Sequence, residues 1–181
     1  MIFYKNIEKI SRLYIPLLVA MLVTCYMVMG CTVTDPTAPV APTPTPSAIV
    51  VTDALGQRIS FEAKPERIAT ISPTATEILY LVGGSSVLRD RSSNFPDQVQ
   101  DIPDVGSAYN PSIETILAAQ PDLVIIEALT QARFIGTFSE SGLNVMAVKA
   151  ETLEDIKLSI RNVGKIIGKE DVANDQIAEM E

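Results

Sequence analysis

Four apolar residues in a row, Leu123, Val124, Ile125 and Ile126, follow Pro121 and Asp122 and end at Glu127. A run this short with no polar interruption suits a strand of a parallel sheet covered on both faces. Its flanks agree. Ahead of it, Ile113, Ile116 and Leu117 recur at helical spacing. Asn110 reads as the N-cap of that helix, Pro111 as its first residue and Pro121 as its stop. Behind it, residues 130–142 carry another helical pattern with a glycine stop, and residues 144–148 another apolar strand.

The same alternation runs through the rest of the chain. Residues 49–61 read as two short strands around a turn at Asp53–Gly56. Residues 67–72 form the first core strand. A helix follows with Pro73 in its first position, Thr74 and Glu77 as a capping box, and Gly83 and Gly84 as its end. Residues 86–90 read as a second short strand. Residues 152–168 form an amphipathic helix with Leu153, Ile156, Ile160, Val163 and Ile167 on one stripe, and residues 169–181 begin a further helix that runs to the last residue. Strands alternating with helices imply an α/β fold, an open and mostly parallel sheet flanked by helices on both faces.

Ahead of residue 49 the composition changes. Lys5, Lys9 and Arg12 precede an uncharged apolar stretch over residues 13–30, which reads as an export signal. Val28, Gly30 and Cys31 resemble the lipobox of bacterial lipoproteins, with Cys31 the lipidated residue and Met29 a departure from that pattern. An uncleaved membrane helix is the other reading, since the stretch is near the lower length for a span. Both place the remaining chain outside the cytoplasm, at a membrane. Residues 31–48 hold five prolines among small polar residues and read as an extended tether.

Charge and composition exclude several functions. The formal net charge is −8, and the leader is itself basic, so the exported part is more acidic still. Nucleic-acid binding needs cations to neutralise phosphates and is not expected. With no histidine there is no imidazole base and no common metal site. On the lipoprotein reading Cys25 leaves with the signal and Cys31 is acylated, so no thiol nucleophile is expected. The paired glycines of "LVGGSS" end a helix, whereas phosphate-binding glycines open one. No enzyme, resident cofactor or metal site is expected.

The succession of lipobox, Pro/Thr tether, "DALGQRISF", "PERIATISPTATEILYLVG", "NFPDQVQDIPDVGSAYNPSIETILAAQPDLVII", "GLNVMAV" and "TLEDIKLSIRNVGKIIGKED" resembles the substrate-binding proteins of ABC importers for cobalamin and iron-siderophore or haem. The resemblance implies two α/β lobes joined by one long helix, with ligand in the cleft between them. Residues 49–168 then match the N-terminal lobe and residues 169–181 the start of the connecting helix, with the C-terminal lobe absent from this sequence. It also implies an ABC permease as partner and a chelate as ligand, so that any iron arrives already bound.

Two kinds of site residue follow. Glu114 occupies the position of the glutamate by which the family's N-terminal lobe docks to permease arginines. Its plain role is that of an acid at the positive end of a helix dipole, worth ~0.3–1 kcal/mol. Loops at the carboxyl ends of parallel strands are where open α/β sheets bind ligands. Tyr109 is the leading ligand residue there, because its ring can pack on a corrin or porphyrin plane. Arg91 is a candidate partner for an anionic chelate, and Ser92 and Ser93 are candidate hydrogen-bond donors. Glu127 is a further ligand candidate in these loops, but it and Ala108 fall where the cobalamin binders of the family place bulky rings, which weakens the cobalamin reading without replacing it. The alternative to an importer component is an anchored α/β sensor or scaffold that binds a protein partner without transport.

Overall fold

The computed structural model describes residues 48–181. The leader, Cys31 and the tether up to residue 47 lie outside the described residues, as do the expectations attached to them. The chain forms a hairpin, β1 (Ile49–Thr52) and β2 (Arg58–Phe61), then β3 (Ile68–Thr70), α1 (Pro73–Leu81), β4 (Gly106–Ser107), β5 (Asn110–Pro111) and α2 (Ile113–Ala119). There follow β6 (Leu123–Glu127), α3 (Ala128–Gln131), α4 (Ile135–Glu140), β7 (Val145–Val148), α5 (Leu153–Ile167) and α6 (Glu170–Ala178). Among the described residues no helix is long and apolar enough to cross a membrane.

The core sheet is parallel with strand order β3–β6–β7. Its middle strand is the apolar run, and all five residues of β6 are buried. Alternate side chains of a strand point to opposite faces, and the packing follows that rule. Leu123 and Ile125 join Ile160, Val163 and Ile166 of α5, Leu79 of α1 and Ile177 of α6 on one face. Val124 and Ile126 join Ile116 of α2 and Phe138 of α4 on the other. Full burial of each such aliphatic contributes roughly 1.5–3 kcal/mol.

Residues 86–90 flank the far edge of β3, but as isolated bridges rather than the expected strand: Ala69 pairs with Leu88, and Arg89 already pairs with Asp104. The Thr70 N–H donates to the Leu88 carbonyl at 3.0 Å, and the Val87 N–H to the Ile68 carbonyl at 2.8 Å. The chain therefore leaves β3 on one side and returns on the other at β6. Such a reversal opens a crevice at the carboxyl ends of the strands.

Several helix boundaries differ from those expected. Ser72, not Thr74, caps α1, its Oγ accepting from the Ala75 N–H, and Pro73 does stand in the first turn. The expected cap at Asn110 is displaced to Ser112, because Asn110 and Pro111 pair with Ser107 and Gly106 as β5 and β4. The single helix expected over residues 130–142 is three short pieces, with a 3-10 turn (Ala132–Phe134) between α3 and α4. Leu153 leaves the stripe of α5 and is 48 % exposed. The final helix stops at Ala178 instead of running to residue 181. Val163, Ile166 and Ile167 are buried. Gly164 lets α6 pack close to α5: a Cβ there would run into Ala173 Cβ of α6.

Asp122 ties the bottom of the sheet together. One carboxylate oxygen accepts from the Glu66 and Arg67 N–H groups, each at 2.9 Å. These bonds, that of Arg67 first and that of Glu66 next, together with the Arg67 guanidinium, hold its carboxyl below the usual aspartate value despite some desolvation. The fold thus favours the charged form. Its contribution is fully present above about pH 4 and is lost as pH falls through the lower folded value. Urea unfolding of wild type and Asp122→Asn should differ most near neutral pH and converge in acid. A difference that persists unchanged into acid would contradict the assignment.

Candidate functional site

Five loops meet at the carboxyl edge of the sheet. Ser72, Pro73 and Thr74 follow β3, Ser92 follows the 86–90 segment, Ala108 and Tyr109 join β4 to β5, Glu127 ends β6 with Leu129 and Thr130 after it, and Ala150 and Glu151 follow β7. Together they line a hollow of about 450 Å³. Its position is the crevice set by the chain reversal at β3, and its size is in the range of small-molecule sites.

The expected ligand residues divide into two groups. Tyr109, Ser92 and Glu127 line the hollow. Tyr109 is 65 % exposed and supplies the one aromatic ring of that lining. Its carbonyl accepts from an Arg133 Nη at 2.7 Å, which fixes the backbone and leaves the ring free. Glu127 is nearly buried and its carboxylate is occupied: it accepts from the Leu129 and Thr130 N–H groups at 3.0 and 2.9 Å and from Thr130 Oγ1 at 2.8 Å. It caps α3, a role that suits an acid at a helix start.

Arg91 and Ser93 are not among the lining residues. The Arg91 guanidinium is largely exposed and lies 3.7 Å from the Asp104 carboxylate. Ser93 is buried and serves its own loop. Its hydroxyl donates to the Asp90 carboxylate and lies 2.9 Å from Thr76 Oγ1, while the Ser92 N–H donates to the other Asp90 oxygen at 2.7 Å. Asp90, Ser93, Thr76 and Thr70 thus form a buried polar string that fixes the loop after residue 90 against β3 and α1.

On the far side of the hollow, Lys149 pairs with Glu151 and, at 3.5 Å, with Asp155. The hydrogen bond that Lys149 donates to the Glu151 carboxylate is the main cause that raises the Lys149 pKa. Asp155 is held below its usual value chiefly by the Thr152 hydroxyl, its partner in the capping box of α5. The loop after β7 is therefore anchored from both sides.

Sequence reasoning missed Gln131. Its side chain is fully buried at the end of α3, and its amide reaches three segments around the hollow. Oε1 accepts from the Glu127 N–H at 2.9 Å, and Nε2 donates to the Ala108 carbonyl at 2.8 Å and to the Ile71 carbonyl. A lone glutamine in a polar helix pattern offers no signal of this in one sequence.

Glu114 lies elsewhere, in the first turn of α2, and is exposed. The cap of that helix is provided by Ser112, whose Oγ accepts from the Thr115 N–H at 3.2 Å. Among the described residues the Glu114 carboxylate has neither an ion-pair partner nor a hydrogen-bond partner.

Comparison with known proteins supports the fold. Residues 68–181 match the family model described as periplasmic binding protein. The chain is 26 % identical over 138 residues to an uncharacterized ABC transporter substrate-binding lipoprotein, YvrC, of Bacillus subtilis, covering 73 % of this chain and 44 % of that protein. It is 31 % identical over 124 residues to a vitamin B12-binding protein of Vibrio campbellii, covering 66 % of this chain and 45 % of the relative. A crystal structure of a periplasmic solute binding protein from Veillonella parvula superposes with a TM-score of 0.64 at 29 % identity, over 72 % of this chain and 44 % of that one. The chain spans less than half the length of these relatives.

Proposed function

Because the chain belongs to the periplasmic binding protein family, we propose that it acts as the extracytoplasmic solute-binding component of an ABC importer and delivers a metal chelate to a membrane permease. The observation that carries this reading is the convergence of five loops on one hollow at the chain reversal. The chelate, a cobalamin, a ferric siderophore or haem, rests one face on this hollow, with Tyr109 stacked against it and the Ser92 hydroxyl available as a donor. A second lobe, which the greater length of the relatives supports, closes over the opposite face, and α6 begins the connection to it. Glu114 is the docking carboxylate on this lobe. Cys31 carries the lipid, and residues 32–48 give the lobe reach from the membrane surface.

Nothing in the lining calls for catalysis. The carboxylate of Glu127 is committed to its helix and that of Glu151 to Lys149, and the remaining side chains are hydroxyls, small residues and apolar groups. The single aromatic ring of the lining weakens the cobalamin reading without replacing it. Titration of the full-length protein with cyanocobalamin, a ferric hydroxamate and haemin, followed by calorimetry and tyrosine fluorescence, tests the reading. We expect saturable binding of one chelate class, weakened several-fold by Tyr109→Ala through loss of a stacking contact of about 0.5–1.5 kcal/mol. Failure of every chelate to bind would overturn it.

A further inference from the structure

We infer that Gln131 is a positioning residue for the ligand hollow, which it holds in shape before ligand arrives. The inference rests on the solute-binding reading above and names what orders that site. The residue touches no lining space itself; it acts through backbone. Three segments far apart in sequence meet at its amide: the end of β3 at Ile71, the β4–β5 connection at Ala108, and the end of β6 at Glu127. Each leads directly into lining residues, Ser72 and Pro73, Tyr109, and Leu129 and Thr130 respectively.

The chemistry fits an amide and little else. One acceptor faces an N–H while the two hydrogens of Nε2 face two carbonyls, which also fixes the orientation of the amide, since the flipped form would oppose like groups. Because Gln131 and Ile71 are fully buried, no water is at hand to replace the lost donor at the Ile71 carbonyl, which then carries its desolvation cost. The β4–β5 connection depends on this contact most. Its strands are two residues each, and the Tyr109 carbonyl is tied to Arg133, in the turn just after Gln131. Gln131 and Arg133 therefore pin Ala108 and Tyr109 to the segment that carries the β6 loop. A ligand that finds these loops already placed is spared the entropic cost of ordering them.

The test uses the full-length protein with Gln131→Met, which conserves volume and removes the hydrogen bonds. Ile166→Val, in the core between α5 and α6 on the opposite face of the sheet, serves as the control for a general loss of stability. Two quantities are read: affinity for whichever of cyanocobalamin, ferric hydroxamate and haemin the wild type binds, and amide hydrogen exchange without ligand. We expect Gln131→Met to weaken binding about tenfold and to speed exchange in residues 106–112 and 127–130, with α5 and β1 still protected. Ile166→Val should leave affinity and those loops as in wild type. Unchanged exchange in the loops of Gln131→Met, or an equal loss of affinity in Ile166→Val, would overturn the inference. If the wild type binds none of the chelates, the function proposed above fails, while loop exchange still decides the role of Gln131.

Discussion

Asp53→Ala should lower the stability of the lobe by about 2–4 kcal/mol, the cost of breaking a buried hydrogen-bond network. Asp53 is 3 % exposed and sits in the turn between β1 and β2. One carboxylate oxygen accepts from the Leu55 and Gln57 N–H groups at 2.9 and 2.8 Å. The other accepts from the Ala147 N–H of β7 at 3.1 Å, beside a backbone bond from the Ala54 N–H to the Ala147 carbonyl. A single side chain thus shapes the hairpin turn and attaches it to the outer edge of the core sheet. Alanine leaves three donors without that acceptor. The two in the turn can reach water, whereas Ala147 is buried, so the larger share of the loss arises there. Asp53→Asn keeps the shape and one good acceptor and should lose less. Urea unfolding gives the values directly, and a loss under about 1 kcal/mol for alanine would show that the hairpin is held by its apolar contacts instead. A freed β7 edge should also promote aggregation, since unpaired strand edges template association.

The parts of the fold legible in the sequence are those dictated by periodicity. The buried run of β6, the strand at β7, the hairpin and the stripe of α5 all follow from apolar spacing, because burial on one face or two imposes that spacing directly. What was not legible depends on contacts between distant segments. The pattern at Asn110 satisfies every local rule for a helix cap, yet its backbone is drawn into pairing with Ser107, and Ser112 takes the cap. The strand expected over residues 86–90 is cut short because Arg89 turns away to meet Asp104. The same division runs through the site. Strand-end loops could be named from the sequence, and they do converge. Tyr109, Ser92 and Glu127 do line the hollow, but which polar side chains are already committed could not be named, because Glu127, Ser93 and Gln131 are all polar residues at or shortly after strand ends. Only the tertiary structure shows one capping a helix, one buried under its loop and one joining three segments.

Charge reversal at Glu114 should separate delivery from binding. If this carboxylate docks to an arginine of the permease, Glu114→Arg places like charges face to face across the contact. Truncating one side of a hydrogen-bonded charge pair that docking buries costs about 2–5 kcal/mol, and reversal adds repulsion, so uptake by cells should fall about thirtyfold or more. Ligand affinity should hold, because Glu114 is not among the residues that line the hollow. The fold should hold as well: Ser112 caps α2 without help from Glu114, and an exposed cation in the first turn forfeits only about 0.3–1 kcal/mol of dipole stabilisation. Glu114→Gln, which keeps the shape and drops the charge, should fall between wild type and the reversal. An arginine-to-glutamate change at the contacted permease position should restore uptake to Glu114→Arg while impairing it with the wild-type lobe. Raised ionic strength should slow formation of the wild-type complex in reconstituted membranes, because salt screens the approaching charges beyond a Debye length of about 10 Å. Normal uptake by Glu114→Arg would leave this glutamate as an ordinary first-turn acid and move the docking surface to another face of the lobe.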